Sequence, residues 1–216
     1  MAPPPERTPA ASVATDPPRR GRGAIWFLLV ILVVGGTIAA YTVFGAGLVG
    51  GSRAAGPELA IDRVETFDPE GDGKQEENDQ LVPNLTDGSE STTWRTERYG
   101  AATFPSQGGN KSGVGFYLVL GDTADVERVD LVTPTGGWDA QVYVLASLGA
   151  DGSVPVDLAG WGDPVGDVTD APTGTVEVSV SPTSGQAVLV WFTEAAPFGD
   201  QGKYAVEIGD VTVRGR

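Results

Sequence analysis

Thr175-Val176-Glu177-Val178-Ser179-Val180 alternates apolar and polar residues without a break, and Val188-Leu189-Val190-Trp191-Phe192 follows it as an uninterrupted apolar run. Strict alternation is the period of a strand with one dry and one wet face, because successive side chains point to opposite sides. The continuous run suits a strand that is dry on both faces. Working outward, Tyr204-Ala205-Val206-Glu207-Ile208 and Asp210-Val211-Thr212-Val213-Arg214 repeat the alternation. Further strands are expected over 114–120, 128–133, 141–145 and 59–64, separated by turn clusters such as Thr135-Gly136-Gly137 and Pro182-Thr183-Ser184-Gly185. No segment of this part of the chain sustains a helical period, and no repeat of solenoid length is visible. About eight short strands without a βαβ rhythm predict an all-β sandwich or barrel over 57–216.

The first fifty residues have a different composition. Residues 1–23 are rich in proline, small residues and arginine. They have too little apolar surface to fold, so a disordered tail is expected. From 24 to 49 no residue is charged, and the stretch AIWFLLVILVVGGTIAAYTVFGAGLVGG is long enough to span a bilayer core, which needs about 20 apolar residues. A cleaved signal peptide has a shorter apolar region, so an uncleaved transmembrane helix over 24–50 is the expectation, with a linker at 51–56. Arg19, Arg20 and Arg22 stand directly before it, while only Arg53 follows closely. Positive charge stays in the cytoplasm. The N-terminus is therefore expected inside and the β domain outside the cell membrane.

Charge narrows the partners. Removing the four arginines and two acids of 1–50 from totals of 14 basic and 29 acidic residues leaves 10 and 27, a net charge of −17 on the remainder. Such a surface repels phosphate backbones, which argues against nucleic acid and leaves divalent cations, sugars or basic proteins. The chain has no cysteine and no histidine. Disulfides, thiolate metal sites, Ser-His-Asp and Cys-His catalysis, and histidine zinc sites are excluded together. Carboxylate chemistry stays open, but acid pairs are so numerous here that their presence carries almost no weight.

Two neighbouring segments stand apart from strand periodicity. Phe67-Asp68-Pro69-Glu70-Gly71-Asp72-Gly73-Lys74-Gln75-Glu76-Glu77-Asn78-Asp79 is the most acidic run. Asp68 and Asp72 offer hard oxygen ligands that suit calcium, and a solvated acidic loop is the alternative. Asn84-Leu85-Thr86-Asp87-Gly88-Ser89-Glu90-Ser91-Thr92-Thr93-Trp94-Arg95-Thr96 then sets an Asp-Gly turn and a hydroxyl cluster before a tryptophan. Asp87 shapes a turn on one reading and binds metal on the other. Trp94 is expected in the core.

This second segment resembles the signature near the start of galactose-binding-like domains, the discoidin or coagulation-factor type C jelly rolls. The resemblance covers roughly residues 57–214 and implies a jelly-roll β-sandwich. More particularly, the Phe67–Asp79 run together with Thr93-Trp94-Arg95-Thr96-Glu97-Arg98-Tyr99 is similar to the extracytoplasmic domains of actinobacterial pseudokinase proteins associated with lipid II flippases in cell-wall synthesis. In calcium-binding members of the wider family, the matching positions would be Asp87, Thr92 and Glu207, with Ser89 at the family's second acidic position. The resemblance thus implies a structural calcium ion as the one candidate cofactor.

For sugar recognition, exposed aromatic faces beside polar groups are needed. Tyr99, Phe104, Trp138 with Asp139, Trp161 with Asp163, and Phe198 with Asp200 are candidates, each weighed against simple packing. Arg95 and Arg98 are placed to meet a carboxylate or phosphate on a glycan. A non-catalytic cell-surface module binding a cell-wall glycan or envelope component is the leading expectation. The alternative is a regulatory domain docking a membrane partner in wall assembly, which a large apolar patch on one sheet face would reveal.

Overall fold

The two sequence patterns quoted first belong to one strand. In the computed structural model, which describes residues 56–71, 77–106, 109–199 and 201–216, the strands in chain order are β1 (Ile61–Phe67), β2 (Trp94–Arg95), β3 (Pro105–Ser106), β4 (Gly109–Asn110), β5 (Val114–Thr133), β6 (Asp139–Leu145), β7 (Gly166–Val168), β8 (Gly174–Glu194), β9 (Ala196–Phe198), β10 (Lys203–Ala205), β11 (Glu207–Ile208) and β12 (Asp210–Gly215). Short 3₁₀ helices run over Asp79–Leu85 and Leu158–Trp161. The expected tail and membrane span fall outside the described residues. Among the described residues no helix is long and apolar enough to cross a membrane.

Strands β5 and β8 run antiparallel and bend together from one layer of a sandwich into the other. The first half of β5 pairs with β1 and with the second half of β8, which pairs in turn with β6. The second half of β5 pairs with β12 and with the first half of β8. Register shifts between Val119 and Ala124 and between Val126 and Arg128 mark the crossing, where bulges let a strand bend. The expected turn at Pro182–Gly185 is instead this crossing: Thr183, Ser184 and Gly185 pair with Val126, Asp125 and Ala124. Gly185 permits it, since a Cβ there would stand 2.4 Å from a Val144 methyl.

Each layer explains its own sequence pattern. Phe116, Leu118 and Leu120 of β5, Val188, Val190 and Phe192 of β8, and Val142 of β6 point into the main core, where Val129, Leu131, Val176, Val178, Val211 and Val213 of the other layer meet them. The intervening residues of the first layer, Tyr117, Val119, Leu189, Trp191 and Tyr143, form a second apolar cluster on its outer face. Trp161 closes over that cluster, its ring centroid 5.9 Å from that of Phe67. Both faces of this layer are dry, hence the continuous apolar run. On the second layer the outward residues are charged: Arg128 pairs with Asp130 and Glu177 at 2.7 and 3.0 Å, and Arg214 with Asp130 at 2.8 Å. That layer has a wet face, hence the alternation.

Two expected strands shift. The one placed at 59–64 runs over Ile61–Phe67, because Leu59 donates its N–H to Val213 of β12 before the chain turns to β5. The one placed at 204–208 is divided at Val206, whose N–H and C=O are both taken by Thr96.

Candidate functional site

The signature segment folds as a self-locked loop. Asp87 accepts from the Ser89 N–H at 2.8 Å and from the Thr92 hydroxyl at 2.7 Å, and Thr92 also reaches the Ser89 carbonyl at 3.0 Å. This is an Asx turn, the non-metal reading of Asp87. Glu207 lies on β11, opposite Arg95 of β2, and faces it at 3.8 Å. Trp94 is fully buried as expected, donating its indole N–H to the Glu77 carbonyl at 2.8 Å.

The acidic run is likewise engaged by protein groups where it is described. Asp68 is buried and bonded to the Lys111 ammonium at 2.7 Å. Glu70 accepts from the Ser112 hydroxyl at 2.8 Å, and Asp79 from the Thr66 hydroxyl at 2.5 Å. Asp72 lies outside the described residues. Among the described residues no three acidic groups gather to hold a metal. The oxygens of Asp87 and Thr92 serve a turn, and Glu207 faces an arginine.

Glu77 anchors a buried polar cluster. It is fully buried and accepts from the Glu97 N–H at 2.6 Å, the Lys111 ammonium at 3.2 Å and the Tyr99 hydroxyl. Burial pushes the Glu77 carboxyl up from its ordinary value, against the hydrogen bonds of Tyr99 and Glu97 and the charge of Lys111. Burial also raises the Tyr99 phenol, and the adjacent Glu77 adds to it. For Lys111, burial acts downward, but the bond to Asp68 and the two carboxylate charges outweigh it, and its pKa ends raised.

Four of the aromatic candidates take the packing reading. Tyr99, Phe104, Trp138 and Trp161 are all buried. Tyr99 packs edge-on against Phe104 at 5.0 Å. Trp138 packs against Phe192 at 5.3 Å and donates its N–H to the Thr135 carbonyl at 2.9 Å. Asp139 locks a turn by accepting from the Asp170 N–H at 2.8 Å. None of these rings shows a face to a ligand; the large apolar surface of each is worth more inside.

Of the remaining candidates, Asp200 lies outside the described residues and Asp163 is exposed elsewhere, while Arg95, Arg98 and Phe198 converge at one place. Hairpin β9–β10 sets Phe198 directly opposite Lys203, and residues opposite each other share a face. Gly199 and Gly202 hold φ of 65° and 61°, which closes the turn between them. Tyr99 bridges to Tyr204 of β10 and so brings Arg98 alongside. The guanidinium carbons of Arg95 and Arg98 each stand 5.0 Å from the Phe198 ring centroid, a cation–π distance. A pocket of about 300 Å³ opens here, lined by Arg98, Phe198, Gly199, Gln201 and Lys203. A larger hollow of about 440 Å³ beside β1 is lined by Val64, Glu65, Thr66, Asp79, Val82 and Pro83 and offers no cation. Lys203 and Gln201 escaped the sequence reading, although the Gly199-to-Gly202 spacing already implied a hairpin that pairs residue 198 with 203.

No family model matches the chain, and no curated protein matches it. Among solved structures it is similar to the CBM32 module of AlyQ in complex with 4,5-unsaturated mannuronic acid, at 16% identity over 73% of this chain and 97% of that one, TM-score 0.48. It is equally similar to chitosan-binding module 2 of a Paenibacillus sp. IK-5 chitosanase/glucanase in complex with chitotriose, at 21% identity, 73% and 98% coverage and TM-score 0.48. Against the longer AlyQ chain with CBM32 and alginate lyase domains, it covers about a third, 34%, of that chain, at 16% identity and TM-score 0.48 over 74% of its own length. The likeness is low and concerns the fold. The described domain is a β-sandwich, in which two antiparallel layers share two long strands over one core. The meaning of its pocket rests on the pocket's own geometry.

Proposed function

We propose that the chain is a membrane-anchored, non-catalytic module that holds its sandwich outside the cell membrane and binds a cell-wall glycan or another envelope component. One observation carries this: an open pocket at one hairpin tip lined by an aromatic, two cations and an amide. Concave sites of this make-up fix small polar ligands. The anchor and its orientation rest on the uncharged stretch 24–49 and on Arg19, Arg20 and Arg22 before it. The docking alternative calls for a large apolar face, whereas among the described residues the one exposed large hydrophobic side chain is Val156, at 86% exposure.

The test is binding of the full chain, in detergent, to isolated cell-wall glycan. Saturable binding is expected, reduced about tenfold or more in Arg98→Ala. Because the oxygens of Asp87, Thr92 and Glu207 already have partners, a chelator should leave the affinity unchanged. Absence of binding would overturn the glycan reading and make crosslinking to a protein partner the next experiment.

A further inference from the structure

The domain is strongly acidic, so its few cations should all find carboxylates nearby. Among the described residues Arg63, Arg95, Lys111, Arg128, Arg214 and Arg216 each do so within 4.0 Å. Arg98 and Lys203 do not, and both line the pocket at Phe198. Among the described residues, these are two cations without an ion pair at one concave place, on a chain of net charge −15.

The aromatic ring points the same way. A neutral sugar recognised by stacking needs an open aromatic face, but the Phe198 ring already carries the Arg95 and Arg98 guanidiniums. Stacking fixes the plane of a guanidinium and leaves its N–H edge free for a bidentate acceptor. Arg95 is partly neutralised by Glu207 at 3.8 Å and acts as a support. Arg98 supplies the fork, Lys203 a second point charge, and the Gln201 amide a neutral partner for hydroxyls.

Resting on the glycan reading above, we infer that this pocket selects a sugar bearing an oxyanion, a carboxylate or a phosphate, over its neutral counterpart. The surrounding negative charge adds a limit. A polymer with closely spaced charges is repelled by the rest of the domain, so the ligand carries its anions singly along an otherwise neutral chain.

The experiment titrates the full chain with three probes of equal length: a neutral oligosaccharide, the same oligosaccharide with one uronate residue, and the same oligosaccharide with one phosphate. One or both anionic probes should bind about tenfold or more tightly than the neutral one, and their ranking tells carboxylate from phosphate. Lys203→Gln should reduce that preference while leaving the melting temperature unchanged. Equal affinity for neutral and anionic probes would overturn the inference and leave the glycan reading standing. If none of the probes binds and isolated wall glycan does not bind either, both fall.

Discussion

Two of the places where this domain sets a cation beside an aromatic ring have opposite fates. Lys111 lies 5.3 Å from the Tyr99 ring centroid and is enclosed by Asp68, Glu77 and the Tyr99 hydroxyl. Arg98 lies 5.0 Å from the Phe198 ring centroid and has no carboxylate partner among the described residues. The first set is buried and satisfied from within; the second opens into a pocket. Tyr99 adjoins Arg98 in the chain, so the closed cluster fixes the backbone from which the open one projects. A buried charge with its partners orders loops, whereas an exposed charge without them is available to a ligand.

The strongest way to break this contrast is to remove the enclosed cation. Lys111→Met leaves the Asp68 and Glu77 carboxylates buried together and should cost about 3–5 kcal/mol of stability. Adding Glu77→Gln should recover part of that loss, because one of the stranded charges is then gone. Denaturant midpoints of the single and double variants measure the coupling. The same substitution at Arg98 should leave the midpoint where it was and affect only binding. A Lys111→Met protein as stable as the parent would end the distinction between the two clusters.

Alkaline pH tests the closed cluster without mutation. Tyr99, Tyr117 and Tyr143 all have phenols raised above 10.0, each chiefly by burial. Their folded forms keep the proton while the unfolded chain loses it near pH 10, so the unfolded state gains as pH rises. Lys111, raised above 10.5, acts in the same direction, since its contribution is complete below that value and is lost as pH climbs through the folded pKa. Stability should therefore fall above about pH 10, by at most about 1.4 kcal/mol per group for each pH unit. Tyrosinate absorbance should appear for these three residues together with unfolding. Their ionisation in a still-folded protein, at ordinary pH, would contradict the enclosure.

What could be read from the chain beforehand follows the same division between local and distant. The alternation at 175–180 and the apolar run at 188–192 foretold one wet-faced and one dry layer, because strand periodicity is local. The union of both segments in β8 was hidden, since a proline, two hydroxyls and a glycine at a sheet crossing look like a turn. Arg95 and Arg98 stood out beside the Trp94 signature, but Lys203 depends on hairpin register. The pairing of Asp68 with Lys111 was hidden, because the two lie far apart along the chain. Trp138 and Trp161 were legible as aromatics with packing set against ligand binding, and the choice between the two is decided by what packs over them.

The smallest expected effect concerns the outer face of the dry layer. Trp161 is 3% exposed, yet its indole N–H has no hydrogen-bond partner among the described residues. Leaving such a donor unmade normally carries a penalty of about 1–3 kcal/mol. Phenylalanine at 161 would discard the donor along with some ring area packed on Phe67 and Tyr117, and these two changes oppose each other. Trp161→Phe should therefore shift stability by less than about 1 kcal/mol in either direction, whereas Trp161→Ala, which uncovers the cluster, should cost about 3–5 kcal/mol. Equal losses in the two variants would show that the indole N–H is satisfied after all, and that Trp161 is held by a polar contact like those of Trp94 and Trp138.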